Sequence, residues 1–176
     1  MSRVNIKPVN EEIAFLHDEI IVSKTDAQGR IQYANDVFCR VAEMSTDQVI
    51  GQPHNIIRHP DMPRAIFKLL WDTLEKQQEI FAYVKNMSAT GKYYWVIAHV
   101  TPSLDVHGKT IGYHSNRRAP SKKGISEIAP LYKALLDEEH RHTSPKEALA
   151  ASTAMLESML AEQGKAYDEF IWSTGE

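Results

Sequence analysis

Between Gly51 and Pro63 the chain reads GQPHNIIRHPDMP, which sets His54, Arg58, His59 and Asp61 among three prolines just before an apolar run. Proline fixes φ and removes an amide donor, so this stretch predicts a shaped, irregular wall. A cation, an imidazole and a carboxylate beside Ile56 and Ile57 suit a polar ligand with a flat apolar part. The competing reading is a loop whose charges cap helices and meet water. Arg58 offers five donors in a fixed plane to phosphate or carbonyl oxygens and does not titrate. The imidazole of His59 can donate to a polar ring edge and change charge near neutral pH. Asp61 either orients one of them or caps a helix with Arg58 as its surface partner.

Asn35 and Asn86 fall where strands meet helices. An amide there can offer a donor and an acceptor to a planar heterocycle, or serve a turn or cap. Trp71 and Trp95 can each stack on a flat ring or pack in the core. Tyr93 and Tyr94 point to opposite faces of one strand, so one of them faces any pocket. The single cysteine, Cys39, excludes an internal disulfide and fits a reducing cytosol as a small buried hydrophobe. His140 and His142 are two apart, the wrong spacing for one helix face. With no CxxC or HExxH, a metal site is not expected. One histidine suffices as a haem ligand, which leaves His54, His59, His99 and His114 open to that role. No nucleophile–base spacing or carboxylate pair supports an enzyme.

These residues must be positioned by a framework, and hydrophobic patterning supplies one. Residues 19–25 form a β-branched run, the segment from Asp26 to Gly29 signals a turn, and residues 30–34 alternate, predicting a hairpin. Asn35 and Asp36 offer caps for a helix over 37–42, and Ser45 opens a short helical piece ended by Gly51. From Pro63 onward Ala65, Ile66, Leu69, Leu70, Thr73 and Leu74 recur at helical spacing. Three strands follow, over 80–87, 92–101 and 109–115, joined by turns at Gly91 and Gly108. Beyond Arg118 the chain is helical, over 125–137 and again from the Ser144 capping box along a stripe of Leu149, Leu156, Met159 and Leu160. That stripe must dock on the sheet or pair with another chain. Arg117, Arg118, Lys122 and Lys123 read as a solvated basic loop. Successive hairpins with helices on one face predict a two-layer α+β domain, and GxGxxG is absent.

Composition bounds the partners. Net charge is −3 over 176 residues, which argues against nucleic acid, and the 43% hydrophobic and 24% charged fractions are those of a soluble globule. No run approaches the ~20 apolar residues that cross a bilayer, and no signal peptide opens the chain.

The order of elements, together with YAND from Tyr33, GQPHN from Gly51, RHPDMP from Arg58, Phe67 to Trp71, VKN from Val84, YWV from Tyr94, IGY from Ile111 and PLYKAL from Pro130, resembles a PAS domain. In particular it resembles the flavin-binding PAS domain of the aerotaxis (energy-taxis) receptors. The likeness spans residues 18–136. It implies a five-stranded antiparallel sheet with short helices covering one face, followed by C-terminal helices. It implies non-covalent FAD reporting redox state to a signalling partner, with Arg58, His59, Asp61, Asn35, Asn86, Trp71, Phe67, His54 and Trp95 as the cofactor-binding set. The alternatives are a sensor holding haem b, or a cofactor-free interaction module that dimerises. The chain departs from the receptor plan in having no transmembrane segment, HAMP-like linker or methyl-accepting coiled coil. The expected organisation is a lead-in segment over 1–17, a PAS sensor over 18–118 and a helical extension over 119–176, in a cytoplasmic, non-enzymatic protein.

Overall fold

A computed structural model describes residues 6–175; the first five residues of the lead-in segment and the last of the extension lie outside the described residues. The elements run β1 (Ile21–Asp26), β2 (Ile31–Ala34), α1 (Asp36–Ala42), α2 (Thr46–Val49), a 3-10 turn (His54–Ile57), α3 (Arg64–Glu75), β3 (Ile80–Met87), β4 (Tyr93–Leu104), β5 (Thr110–Arg118), α4 (Lys122–His140), α5 (Pro145–Glu162) and α6 (Tyr167–Ser173). The two tight turns use the same chemistry. Asp26 Oδ1 accepts from the amides of Gln28 and Arg30 while Gly29 takes φ +77°, and Asp105 does the same for His107 and Lys109 with Gly108 at φ +78°. Only glycine adopts that φ without strain.

The five strands form one antiparallel sheet in the order β2-β1-β5-β4-β3. The two-residue period of a strand then assigns every side chain to a face. Directly opposed residues share a face, so Ser23 sits beside Ser115 and Val100, and Ile21 beside Arg117, Ala98 and Ala82. Asn86 lies beside Tyr94 on this inner face, which the short helices and α3 cover. Trp95, Ile97 and His99 of β4, with Phe81, Tyr83 and Lys85 of β3, point to the outer face.

The extension packs on that outer face. Tyr132 of α4 lies against Trp95 and donates its hydroxyl to the Tyr83 carbonyl at 2.7 Å. Tyr83 in turn donates to the Thr174 carbonyl at 3.0 Å, and Trp172 of α6 covers the stacked pair Phe81–His99. Helix α4 runs through Pro130 and extends beyond the segment expected from periodicity, and α6 has no counterpart among the expected helices. The stripe on α5 docks within the chain, with Ala148, Ser152 and Leu156 buried between α3 and α4.

Glu139 ties these layers together. Pro63 at the head of α3 supplies no side-chain cap. Instead the buried Glu139 carboxylate of α4 accepts from the amides of Arg64 and Ala65 at 2.7 and 3.2 Å and from Ser152 Oγ at 3.0 Å. A carboxylate at a helix N-terminus satisfies orphan donors and complements the helix dipole.

The proline-rich segment is stitched to the free edge of β3. Arg58 forms a bridge with Asn86, His59 N–H donates to the Lys85 carbonyl, and Lys85 N–H donates to Met62 Sδ at 3.2 Å. The His59 ring turns outward against Tyr93, where its Nδ1 accepts from the Asp61 amide at 3.0 Å. Asp61 is exposed and pairs with Lys85 at 2.6 Å. Burial, and then the Lys85 ammonium, hold the His59 imidazole down at about 4, with Asp61 opposing.

Two outcomes follow. Glu139→Ala strands buried donors and should lower unfolding free energy by about 2–4 kcal/mol, while Glu139→Gln, which keeps an acceptor, should lose less than half of that. Urea midpoints at constant slope measure both. The His59 shift fixes a pH dependence. Its folded value lies below the unfolded value of about 6.5, so the unfolded chain takes up the proton first. Stability is full above about pH 6.5 and declines as pH falls toward 4, by on the order of 2 kcal/mol at pH 5. His59→Asn, which retains an acceptor for the Asp61 amide, should flatten this slope; an unchanged slope would assign the loss to other groups.

Candidate functional site

A cavity of about 250 Å³ lies between the inner sheet face and the wall formed by the 3-10 turn and α3. Its floor comes from β1 (Ser23, Thr25), β5 (Tyr113, Ser115, Arg117), β4 (Ala98, Val100) and β3 (Val84, Asn86). Its roof comes from His54, Ile57 and Arg58, and from Phe67, Leu70, Trp71 and Leu74 on one stripe of α3. The roof is apolar and aromatic. Trp71 meets Tyr113 edge to face at 5.3 Å, and the Arg58 guanidinium lies 3.9 Å over the Phe67 ring while donating to the Met62 carbonyl.

The floor is polar. Arg117 is 4% exposed and sits at the centre of the sheet. Its Nη2 donates to Ser23 Oγ at 2.8 Å and to His54 Nε2 at 2.5 Å. Burial lowers this guanidinium to about 10, with Tyr94 opposing, so it remains a cation at neutral pH. His54 is held well below the ordinary imidazole range, first by burial and then by Arg117. It is therefore neutral, accepts at Nε2 and carries its proton on Nδ1. Among the described residues no carboxylate forms an ion pair with Arg117.

Four polar atoms of the lining have no hydrogen-bond partner: Thr25 Oγ1, Asn86 Nδ2, Ser115 Oγ and Arg117 Nη1. All four side chains belong to residues at most 9% exposed. Buried polar groups are almost always bonded, because an unmet one costs about 1–3 kcal/mol. Four around one cavity form a donor-rich lining with the chemistry to meet acceptors.

Of the residues expected from sequence, His54, Arg58, Phe67, Trp71 and Asn86 line this cavity. The other four lie elsewhere. Asn35 caps α1: its Oδ1 accepts from the amides of Phe38 and Val22 and its Nδ2 donates to the Ile20 carbonyl, so both ends of the amide are engaged in the framework. His59 and Asp61 face the outer side of the wall, engaged with Tyr93 and Lys85. Trp95 is on the outer sheet face against Tyr132, a consequence of strand alternation with Tyr94 inward. His99 likewise stacks on Phe81 outside. Cys39 is partly buried on α1.

Sequence reading missed Ser23, Thr25, Ser115 and Arg117. Ending the last strand at Ser115 left Arg117 in a solvated loop. The strand in fact continues to Arg118, and the alternation Tyr113, Ser115, Arg117 aims all three inward. That period-two pattern was the available signal. No cluster of three or more His, Cys, Asp or Glu among the described residues is placed to hold a metal ion, and no helix among them is long and apolar enough to cross a membrane.

Residues 31–116 match the family model described as the PAS fold. The chain is 42% identical over 118 residues to the aerotaxis receptor of Escherichia coli (strain K12), which covers 67% of this chain and 23% of that protein. It is 31% identical over 99 residues to a nitrogen fixation regulatory protein of Klebsiella pneumoniae, covering 56% of this chain and 20% of that one. This chain thus spans less than a quarter of the length of either relative. Among solved structures, a PAS domain from Colwellia psychrerythraea superposes with a TM-score of 0.54 at 22% identity, over 58% of this chain and 87% of that one. A central antiparallel sheet roofed by short helices, with a cavity between them and the PAS-fold match over residues 31–116, identifies in this chain a PAS domain that resembles part of the aerotaxis receptor.

Proposed function

We propose that the cavity holds the ring system of a flavin, FAD, bound non-covalently, and that the chain acts as a cytoplasmic redox sensor acting on a protein partner. One observation carries this reading: the unpartnered, donor-rich set of Asn86 Nδ2, Arg117 Nη1, Ser115 Oγ and Thr25 Oγ1 beneath an aromatic, apolar roof. The pyrimidine edge of a flavin offers carbonyl and ring-nitrogen acceptors and one N–H donor. Two of the four groups are hydroxyls, which can also accept that N–H. The rest of the ring is flat and apolar and suits Ile57, Leu70, Leu74 and Trp71. The FAD expectation attached to the family resemblance agrees with this donor set.

When bound, a flavin supplies a ring whose charge and protonation differ between oxidation states. The chain's own residues set how such a difference is felt. Arg117 presents a fixed positive charge in a low-dielectric floor, where electrostatic effects are strong. Asn86 is bridged to Arg58 across the β3 edge, so a shift at Asn86 is shared with the wall. Helix α3 carries Phe67 and Trp71 over the cavity and is gripped at its head by Glu139 of α4. A change in the roof therefore biases how the extension is held, which is the differential contact that a population shift requires.

The ultraviolet–visible spectrum of freshly purified full-length chain tests the reading. Paired flavin bands in the near ultraviolet and blue, with FAD recovered on denaturation, are expected. A Soret band, or colourless protein that takes up no added FAD, would overturn it. A second outcome separates binding from folding. Arg117→Met replaces a buried, unpaired cation with an apolar chain and leaves Ser23 and His54 to bond each other at 3.1 Å. The apoprotein variant should be as stable as the parent or more so, by up to about 2 kcal/mol, while FAD affinity falls at least about tenfold. Unchanged affinity by fluorescence titration removes Arg117 from the site.

A further inference from the structure

On the far side of Arg58 the chain holds a second cleft of about 470 Å³. It shares Asn55 and Arg58 with the first cavity, so the two are neighbours across one partition. One wall is the proline-rich segment with Pro60, Met62 and Arg64. The opposite wall belongs to the helical extension, through His140, His142 and Pro145 at the α4–α5 junction. The cleft is mostly polar, and its charge is mixed in an informative way. Arg58 and Arg64 are cations. Glu139 lies in the lining, but its Oε1 is engaged by the Arg64 and Ala65 amides and by Ser152, and the α3 dipole offsets its charge. His142 Nε2 is 3.3 Å from Glu138 Oε1 on the same helix end, and His140 is exposed.

We infer that the phosphate-bearing tail of the bound dinucleotide leaves the first cavity past Arg58 and lies in this second cleft, so that the helical extension forms part of the binding site. The inference rests on the flavin reading above. Size argues for it. A cavity of about 250 Å³ falls below the roughly 300–1,000 Å³ of sites for drug-sized ligands. It has room for a fused ring system and none for a ribityl pyrophosphate and a second nucleoside. Chemistry argues for it as well. A pyrophosphate carries two negative charges and is matched by guanidinium forks and imidazole donors, the groups that Arg58, Arg64, His140 and His142 supply. Met62, Leu136 and Pro145 give the same cleft apolar surface for a base. Placed there, the tail bridges the sensor wall and the α4–α5 junction, and makes ligand binding and docking of the extension mutually favourable.

Fluorescence titration of the full-length apoprotein with FAD and with riboflavin, which lacks phosphate and adenosine, tests this. The parent should bind FAD at least about tenfold more tightly than riboflavin, with a preference that shrinks as salt rises. Arg64→Glu combined with His140→Gln changes two exposed side chains and keeps the α3 amides in place. It should abolish the preference while leaving riboflavin affinity within about twofold of the parent. Equal affinity of the parent for both flavins overturns the inference, as does a variant that weakens both equally or neither. Binding of no flavin at all sinks the flavin reading itself and this inference with it; riboflavin binding without an FAD preference sinks only the second.

Discussion

A guanidinium buried at the centre of a sheet without a carboxylate to meet it is the constraint around which this domain is arranged. β5 lies between β1 and β4, so a residue on its inner face cannot reach solvent at an edge. Removing a charge from water costs several kcal/mol unless it is paired and hydrogen-bonded. Ser23 and a neutral His54 satisfy one end of Arg117, and the other end is aimed into space that side chains do not fill. The apolar core is displaced accordingly. The buried apolar cluster includes Phe38, Val41, Val49 and Ile66, none of which lines the cavity. Local instability of this kind is often retained at functional sites.

The two faces of the sheet then carry different burdens. The inner face keeps its cavity because its cover is irregular: a 3-10 turn, three prolines and a single longer helix cannot interdigitate with the strands as closely as two regular layers would. The outer face is filled. Trp95 and Tyr132, Tyr83 and the Thr174 carbonyl, and the Phe81, His99 and Trp172 stack leave little unspent surface there. Glu139 joins the two sides by holding the head of α3 from α4, across 74 and 75 residues of sequence. The wall over the cavity and the extension behind the sheet therefore share one rigid element. Under the proposed function, that sharing is the route by which a change in the wall would reach the extension.

Fold alone does not decide function, and many chemistries occupy PAS-like sheets. The features that bear on this chain's function are the donor surplus on the floor, the aromatic and aliphatic roof, and a second, mixed-charge cleft made jointly by wall and extension. The relatives it matches are a receptor and a regulatory protein, each several times longer.

Much of this was written in the chain. Hydrophobic period and turn chemistry located all five strands, because Asp-x-x-Gly turns and alternating β-branched runs are local signals. The resemblance carried by RHPDMP and its neighbouring motifs named His54, Arg58, Phe67, Trp71 and Asn86, which the fold brings to one cavity, while the helical period of α3 marked Leu70 and Leu74 beside them. Local pattern could not say which way individual side chains of the wall turn. His59 and Asp61 point outward because the segment pairs with β3 through Arg58 and Asn86, and that register puts alternate residues on opposite sides. Asn35 was ambiguous between ligand and cap until the Ile20 carbonyl and the Val22 amide were brought to it. Trp95 needed only the strand's phase relative to the cavity, which a sequence does not carry. Arg117 was lost for a different reason: its burial follows from a central strand running three residues further than its apolar pattern, with partners from β1 and the 3-10 turn more than sixty residues away. Sequence determined the elements and the residue types available for chemistry. Tertiary structure decided which of them face one another, because facing is set by register and packing between distant segments, and no local propensity encodes it.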